Sequence, residues 1–120
     1  MAKPISPTVH GVIDYLTVPL LLAAGPLFHF GGRPAEITSM SAGAVLVYSL
    51  FTRYRLGLVK MIPFSVHGMI DTVLAAAFLL MPFLFRFEDA TARWVFLGLG
   101  LFALIVVALT DFRQASVSRD

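Results

Sequence analysis

Four apolar runs of about twenty residues constrain the fold of this chain more than any other feature. They cover about residues 9–28, 37–54, 66–85 and 92–112 and are separated by short loops. About 20 apolar residues let a helix cross a bilayer, whereas a lone strand there leaves its backbone groups unpaired. The spacing therefore predicts an all-α fold, a four-helix transmembrane bundle made of two tandem αα-hairpins.

The composition points to the same class of protein. The 120 residues are 58% hydrophobic and only 13% charged, whereas a soluble domain carries about 25% charged residues. A net charge of +2 is too small for a nucleic-acid-binding face, so we predict the lipid bilayer, and no nucleic acid, as a partner. The absence of cysteine excludes disulfides, thiolate metal sites, iron–sulfur clusters and covalent c-type haem attachment.

The weakly basic N-terminus before the first apolar run has some features of a signal peptide. That run, however, contains His10 and Asp14, lacks a small-x-small cleavage site and has a counterpart later in the chain. We therefore expect it to be part of the fold and not a cleaved leader.

The chain contains an internal repeat. Residues 9–14 read Val-His-Gly-Val-Ile-Asp, and residues 66–71 read Val-His-Gly-Met-Ile-Asp. The similarity extends through residues 5–30 and 62–87, and it returns at the ends of the second and fourth apolar runs. Self-similarity at a fixed spacing indicates two copies of one structural unit.

We predict one membrane domain, residues 1–120, built from these two copies. Repeat 1 covers about residues 5–55, repeat 2 about residues 62–113, and a polar tail occupies residues 114–120. Because each repeat has two crossings, both copies enter the membrane from the same side. The predicted relation is a pseudo-two-fold axis along the membrane normal.

The distribution of Lys and Arg predicts the orientation. The side of the termini and the central loop carries Lys3, Arg53, Arg55, Lys60, Arg113 and Arg119. The opposite side carries Arg33, Arg86 and Arg93. This excess predicts a multi-pass protein of the bacterial inner (plasma) membrane with both termini in the cytoplasm.

Each repeat places a histidine four residues before an aspartate, which puts both side chains on one helix face. The pairs are His10 with Asp14 and His67 with Asp71. Ionisable groups inside apolar segments are costly, and a functional site is the default hypothesis for them. If the first and third helices are neighbours, the four side chains converge near the cytoplasmic face.

One interpretation of these residues is structural. A His–Asp hydrogen bond across a helix pair satisfies both groups in lipid. Gly11 and Gly68, next to the histidines, would let helices approach closely. Arg53 and Asp111 occupy equivalent positions with opposite charge, so they either pair across the axis or stay solvated.

Other interpretations use the same residues as a binding site. Two imidazoles and two carboxylates, from His10, Asp14, His67 and Asp71, suit a divalent Zn, Mn or Fe ion better than copper(I). Histidine and aspartate also serve membrane proton or ion handling. Ligation of haem or chlorin by His10 and His67 is a further alternative, although the aspartates one turn away make that pocket acidic.

The chain resembles the small bacterial membrane proteins with SPW repeats, in which a His-Gly-x-x-Asp helix start is followed by a Ser-Pro-Trp-type helix end. The His-Gly-x-x-Asp element is intact in both copies, and Pro26 and Pro82 stand where the ending falls. The resemblance implies a four-crossing bacterial inner-membrane protein and brings no established activity with it.

No nucleophile–base–orienter set, phosphate loop or cofactor fingerprint appears in the sequence, so we do not predict an enzyme. The predicted function is a small non-enzymatic inner-membrane protein, either an accessory subunit of a larger membrane complex or a self-associating scaffold. Its paired His/Asp element joins the first and third helices. The alternative is a membrane protein that uses this element to bind a metal or to handle protons or ions.

Overall fold

The computed structural model describes residues 3–113. Its four helices are α1 (Pro7–Phe28), α2 (Gly32–Leu50), α3 (Phe64–Leu84) and α4 (Ala90–Leu109). Two strands of two residues each, β1 (Thr52–Arg53) and β2 (Ile62–Pro63), lie between α2 and α3. The prediction of an all-α four-helix bundle is confirmed. The predicted polar tail, residues 114–120, and Arg119 within it lie outside the described residues.

Side-chain caps mark the starts of α1 and α4, whereas α2 and α3 begin without one. The hydroxyl of Ser6 accepts a hydrogen bond from the Val9 N–H at 3.2 Å, and Pro7 fills the first helical position, where its missing N–H costs nothing. Asp89 caps α4 in the same way, because its carboxylate accepts the N–H of Thr91 at 2.8 Å. These caps supply acceptors for N–H groups that have no partner within a helix.

The boundaries of α2 differ from those predicted from apolarity. The helix covers Gly32–Leu50, whereas the apolar run covers about residues 37–54. The polar start of the helix lies outside the apolar run yet continues the same backbone hydrogen bonding. At the other end, the chain leaves the helix because residues 52–53 pair as β1 with β2.

Close helix packing is concentrated within two hairpins, α1 on α2 and α3 on α4. An apolar cluster nevertheless runs through both hairpins. Within it, the ring of Phe78 stacks on that of Phe96 with centroids 4.6 Å apart, and Phe87 contacts Phe96 edge-on at 4.8 Å. Helices of different hairpins therefore meet mainly through their side chains.

Two short parallel pairings join the start of one hairpin to the end of the other. Thr52 pairs in parallel with Ile62, and Ile5 forms a parallel bridge with Thr110. The backbone N–H of Asp111 donates to the Ile5 carbonyl at 2.8 Å. In both places, a residue just before a His-bearing helix lies beside a threonine just after another helix.

Three helices, α1, α3 and α4, are long and apolar enough to cross a membrane. Between 22% and 33% of their most apolar windows is buried inside the protein, so most of that apolar surface faces outward. Leu16, Val73 and Trp94 are examples, with exposed fractions of 66%, 69% and 72%. The fourth helix, α2, carries Arg33 and Glu36 and is not among the three.

A buried histidine–aspartate quartet

The structure brings the four predicted site residues together at one place. They are His10 and Asp14, in the first turns of α1, and His67 and Asp71, in the first turns of α3. Both histidines are fully buried, and both aspartates are more than nine-tenths buried. We call these four residues the quartet.

The shortest contacts of the quartet cross between the repeats. His10 Nε2 lies 2.7 Å from Asp71 Oδ2, and His67 Nε2 lies 2.6 Å from Asp14 Oδ2. The contacts within each helix are longer, 3.3 Å in α1 and 3.2 Å in α3. Nitrogen and oxygen atoms thus alternate around a closed ring, and each histidine hydrogen-bonds the aspartate of the other repeat.

Two threonines, which the sequence analysis missed, hold the outer nitrogens of the imidazoles. His10 Nδ1 lies 2.8 Å from Thr110 Oγ1, and His67 Nδ1 lies 2.8 Å from Thr52 Oγ1. Both threonines are fully buried. The signal that points to them is their equivalent placement in the matching ends of the two repeats.

Each threonine hydroxyl also hydrogen-bonds its own helix. Thr52 Oγ1 donates to the Tyr48 carbonyl at 2.6 Å, and Thr110 Oγ1 donates to the Val106 carbonyl at 2.5 Å. A hydroxyl has a single proton to donate. Toward the histidine it is therefore an acceptor, and the Nδ1 atom of each imidazole must carry a hydrogen. This network assigns the tautomer of both rings.

The tautomer determines whether protons are needed between the imidazole Nε2 atoms and the carboxylate oxygens. With Nδ1 protonated, a neutral imidazole presents the lone pair of Nε2 to a carboxylate oxygen, and two acceptors at 2.6–2.7 Å repel each other. A proton in each of these two contacts removes the repulsion. Two carboxylates, two neutral imidazoles and two protons have zero net charge, which suits a buried site.

Aromatic rings cover the imidazoles on the side of the strands. Phe64 contacts His10 edge-on with centroids 5.4 Å apart, and Phe112 lies 5.9 Å from the same ring. Tyr54 stacks on Phe64 at 5.4 Å.

The two motif glycines accommodate rings of this layer. A Cβ atom on Gly11 would lie 2.6 Å from Tyr54 Cε2, and one on Gly68 would overlap the ring of Phe112. The close approach at both glycines is therefore made by an aromatic side chain from a segment that follows a helix. The sequence predicts a neighbouring helix at these two positions instead.

Arg53 and Asp111 lie apart from the quartet. Arg53 is an exposed residue of β1, and the Asp111 carboxylate accepts the backbone N–H of Arg113 at 3.2 Å. Within residues 3–113, Arg53 and Asp111 form no ion pair with each other.

The quartet is asymmetric at one position. The phenol of Tyr48 donates to Asp71 Oδ1, whereas Val106 occupies the equivalent place in the second repeat. Within residues 3–113, no donor hydrogen-bonds Asp14 Oδ1. Both carboxylates line a crevice of about 70 Å³ between the hairpins, which is otherwise mostly apolar.

The arrangement has room for a metal ion but not for a macrocycle. The four residues each offer a ligand atom, and these atoms lie within 4.8 Å of one another. The imidazole centroids are 5.3 Å apart with the rings inclined at 78°, and both Nε2 atoms contact the carboxylates. No flat slot for a haem or chlorin exists between them.

Comparison with known proteins identifies no relative of this chain. No family model, no curated protein and no solved structure matches it. The resemblance to the SPW-repeat proteins therefore stays a prediction, and the function is argued from the geometry of the quartet.

Proposed function

We propose that this chain is a small, non-enzymatic, multi-pass membrane protein whose quartet fastens its two hairpins together. The observation that carries the proposal is the cross-pairing of the quartet. Each histidine makes its shortest contact with the aspartate of the other hairpin, at 2.7 Å and 2.6 Å. Separating α1 from α3 would break both contacts at once.

The packing of the helices supports this role. Close helix approach lies mostly within the hairpins, with little of it between them. In lipid, apolar surface gains little by helix association, so packing and interhelical hydrogen bonds must hold helices together. The quartet supplies such hydrogen bonds at one end of the crevice. The pairings of Thr52 with Ile62 and of Ile5 with Thr110 add backbone hydrogen bonds at the same end.

The proposed topology has four crossings. Three residues separate α1 from α2, which packs along it, so α2 returns across the bilayer that α1 crosses. The Lys and Arg distribution then favours cytoplasmic termini in a bacterial inner membrane, with the quartet near the cytoplasmic face. The reciprocal contacts of the quartet favour two repeats related by an axis along the membrane normal.

We propose that the protein acts as an accessory subunit of a membrane complex or as a self-associating scaffold. Its apolar outer surface supports contacts with lipid and with other membrane helices. Ser39 and Gly43 lie four residues apart on the exposed side of α2, and the space beside Gly43 is open. Small residues spaced in this way let a second helix approach closely.

The test of the fastening is the stability of His10→Ala and Asp14→Ala variants of the full chain in mild detergent. Removing one partner of a buried charged pair costs about 3–5 kcal/mol, so both variants should unfold at clearly lower temperature. His29→Asn is the matched control. His29 caps α1 in a left-handed conformation with a φ of 61°, which Asn tolerates. Native stability in both alanine variants would contradict the proposal.

A further inference from the structure

We infer that the quartet is a binding site for one divalent transition-metal cation of the Zn²⁺, Mn²⁺ or Fe²⁺ class, held by His10 Nε2, His67 Nε2 and one oxygen each of Asp14 and Asp71. The inference goes beyond the fastening of the hairpins and rests on four observations. These are the orientation of the donor atoms, their spacing, their summed charge and the way they are reached.

The donor atoms are already oriented for a metal. Thr52 and Thr110 accept the Nδ1–H groups of the imidazoles at 2.8 Å, which turns both Nε2 lone pairs toward the centre of the quartet. Histidines that ligate metals almost always donate their other ring N–H to an oxygen in this way. The threonines are themselves held by hydrogen bonds to the Tyr48 and Val106 carbonyls, so the imidazoles have little freedom to rotate.

The N···O distances around the quartet lie at or below those of a tetrahedral site. Bonds of about 2.0–2.1 Å to nitrogen and oxygen place tetrahedral ligand atoms roughly 3.3 Å apart. The two contacts within the helices already measure 3.3 Å and 3.2 Å. The two contacts between the helices, at 2.7 Å and 2.6 Å, must lengthen by roughly 0.6 Å. Because the threonines hold the imidazoles, this change falls to the carboxylates of Asp14 and Asp71.

The charge of the donor set selects a divalent ion. Two carboxylates cancel the charge of one divalent ion. The net charge of the site is then zero, as it is when two protons are bound. A monovalent ion would leave a net negative charge in a buried site, which is costly. Two imidazoles with two carboxylates suit Zn²⁺, Mn²⁺ or Fe²⁺, whereas Ca²⁺ prefers six to eight oxygen ligands.

The structure also provides a way to reach the site. The crevice between the hairpins is lined by Asp14, Asp71, Tyr48 and Thr17 among apolar residues. The opposite side of the quartet is closed by the rings of Tyr54, Phe64 and Phe112. An ion therefore approaches from the crevice and first contacts the carboxylates, where Asp14 Oδ1 has no donor within residues 3–113.

The direct test uses the full chain without a polyhistidine tag, purified in mild detergent, stripped with a chelator and titrated with Zn²⁺ alone. We expect one Zn²⁺ bound per chain and, from calorimetry in buffers of different ionisation enthalpy, about two protons released. X-ray absorption should show four nitrogen or oxygen neighbours at about 2.0–2.2 Å. Failure of the native chain to bind Zn²⁺ at equimolar concentration would overturn the inference.

Two variants and one control locate the ion. Thr52→Val/Thr110→Val keeps the four ligands but removes the acceptors of the Nδ1–H groups, so we expect 10- to 100-fold weaker Zn²⁺ binding. His10→Gln/His67→Gln should abolish binding. His29→Asn removes an imidazole outside the quartet and should bind as the native chain does. Unchanged Zn²⁺ affinity in His10→Gln/His67→Gln would overturn the assignment of the ligands.

The metal site and the fastening fail in different ways. If the native chain binds no Zn²⁺ but His10→Ala is strongly destabilised, the metal site is wrong and the fastening stands. If the native chain binds one Zn²⁺ but the metal-free His10→Ala variant keeps native stability, the fastening is wrong and the metal site stands.

Discussion

At the scale of single residues, the behaviour of the quartet depends on where a few hydrogens are. The hydroxyls of Thr52 and Thr110 have one proton each, and both protons are used on helix carbonyls. The imidazoles must then donate through Nδ1, and their Nε2 atoms face the carboxylates with lone pairs. Each imidazole is thus oriented by a chain of hydrogen bonds through a threonine to a helix carbonyl. The centre of the quartet can then hold either two protons or one cation.

Tyr48 provides a prediction at this scale. Tyr48→Phe leaves the ring in place but removes the O–H donor to Asp71, so we expect a loss of about 1.5–3 kcal/mol in the free energy of unfolding. Tyr15→Phe is the control, because the Tyr15 hydroxyl donates to the Leu56 carbonyl outside the quartet at 2.9 Å. Denaturant titration of both variants in detergent measures the difference. Equal losses would argue against a special role for the phenol.

At the scale of elements, the starts of α1 and α3 are shaped to receive aromatic rings. Gly11 lies under the ring of Tyr54, and Gly68 lies under that of Phe112. Both rings come from the segments that follow α2 and α4 and that also bring the two threonines to the histidines. A side chain at either glycine would displace the segment that orients an imidazole.

Gly68→Ala and Gly98→Ala form a matched pair that tests this packing. A methyl group at Gly68 overlaps the Phe112 ring, whereas the space beside Gly98 is open. We expect Gly68→Ala to lower the free energy of unfolding by about 1–3 kcal/mol, and Gly98→Ala to raise it by up to about 1 kcal/mol through helix propensity. Phe112→Leu should recover part of the loss in Gly68→Ala. Absence of that recovery would place the clash elsewhere.

At the scale of the whole molecule, the crossing of α2 is the feature of the proposed topology that most needs a test. Three helices have the length and apolarity of membrane spans, and α2 is tied to them by the short turn after α1 and by its packing along α1. If α2 crosses, both hairpin turns lie on one side of the membrane, and the segment between the hairpins lies on the other.

Single introduced cysteines can report on which side of the membrane each segment lies, because the native chain has no cysteine. We expect Gly31→Cys and Glu88→Cys to react with a membrane-impermeant maleimide from outside intact cells. Leu58→Cys, at a position 77% exposed, should react only after the cells are opened. Labelling of Gly31→Cys and Leu58→Cys from the same side would show that α2 does not cross.

Local patterns in the chain are enough to predict the helices and the positions of the four ionisable residues on them. Apolar runs of this length have one backbone solution in lipid, and a spacing of four residues places His and Asp on one face of a helix. These are local properties, so the sequence predicted them without knowledge of the fold. It also predicted α1, α3 and α4 to within three residues at either end. The polar start of α2 was missed because apolarity does not mark helical residues outside the apolar run.

How these residues combine depends on the way the hairpins pack. His67 bonds Asp14, 53 residues away, and His10 is held by Thr110, 100 residues away. Sequence periodicity pairs each histidine with the aspartate of its own helix, whereas the folded chain pairs it more closely with the aspartate of the other. The reason is that hydrogen bonds in a buried site are set by the distances between atoms of different elements, and those distances exist only after the hairpins have packed.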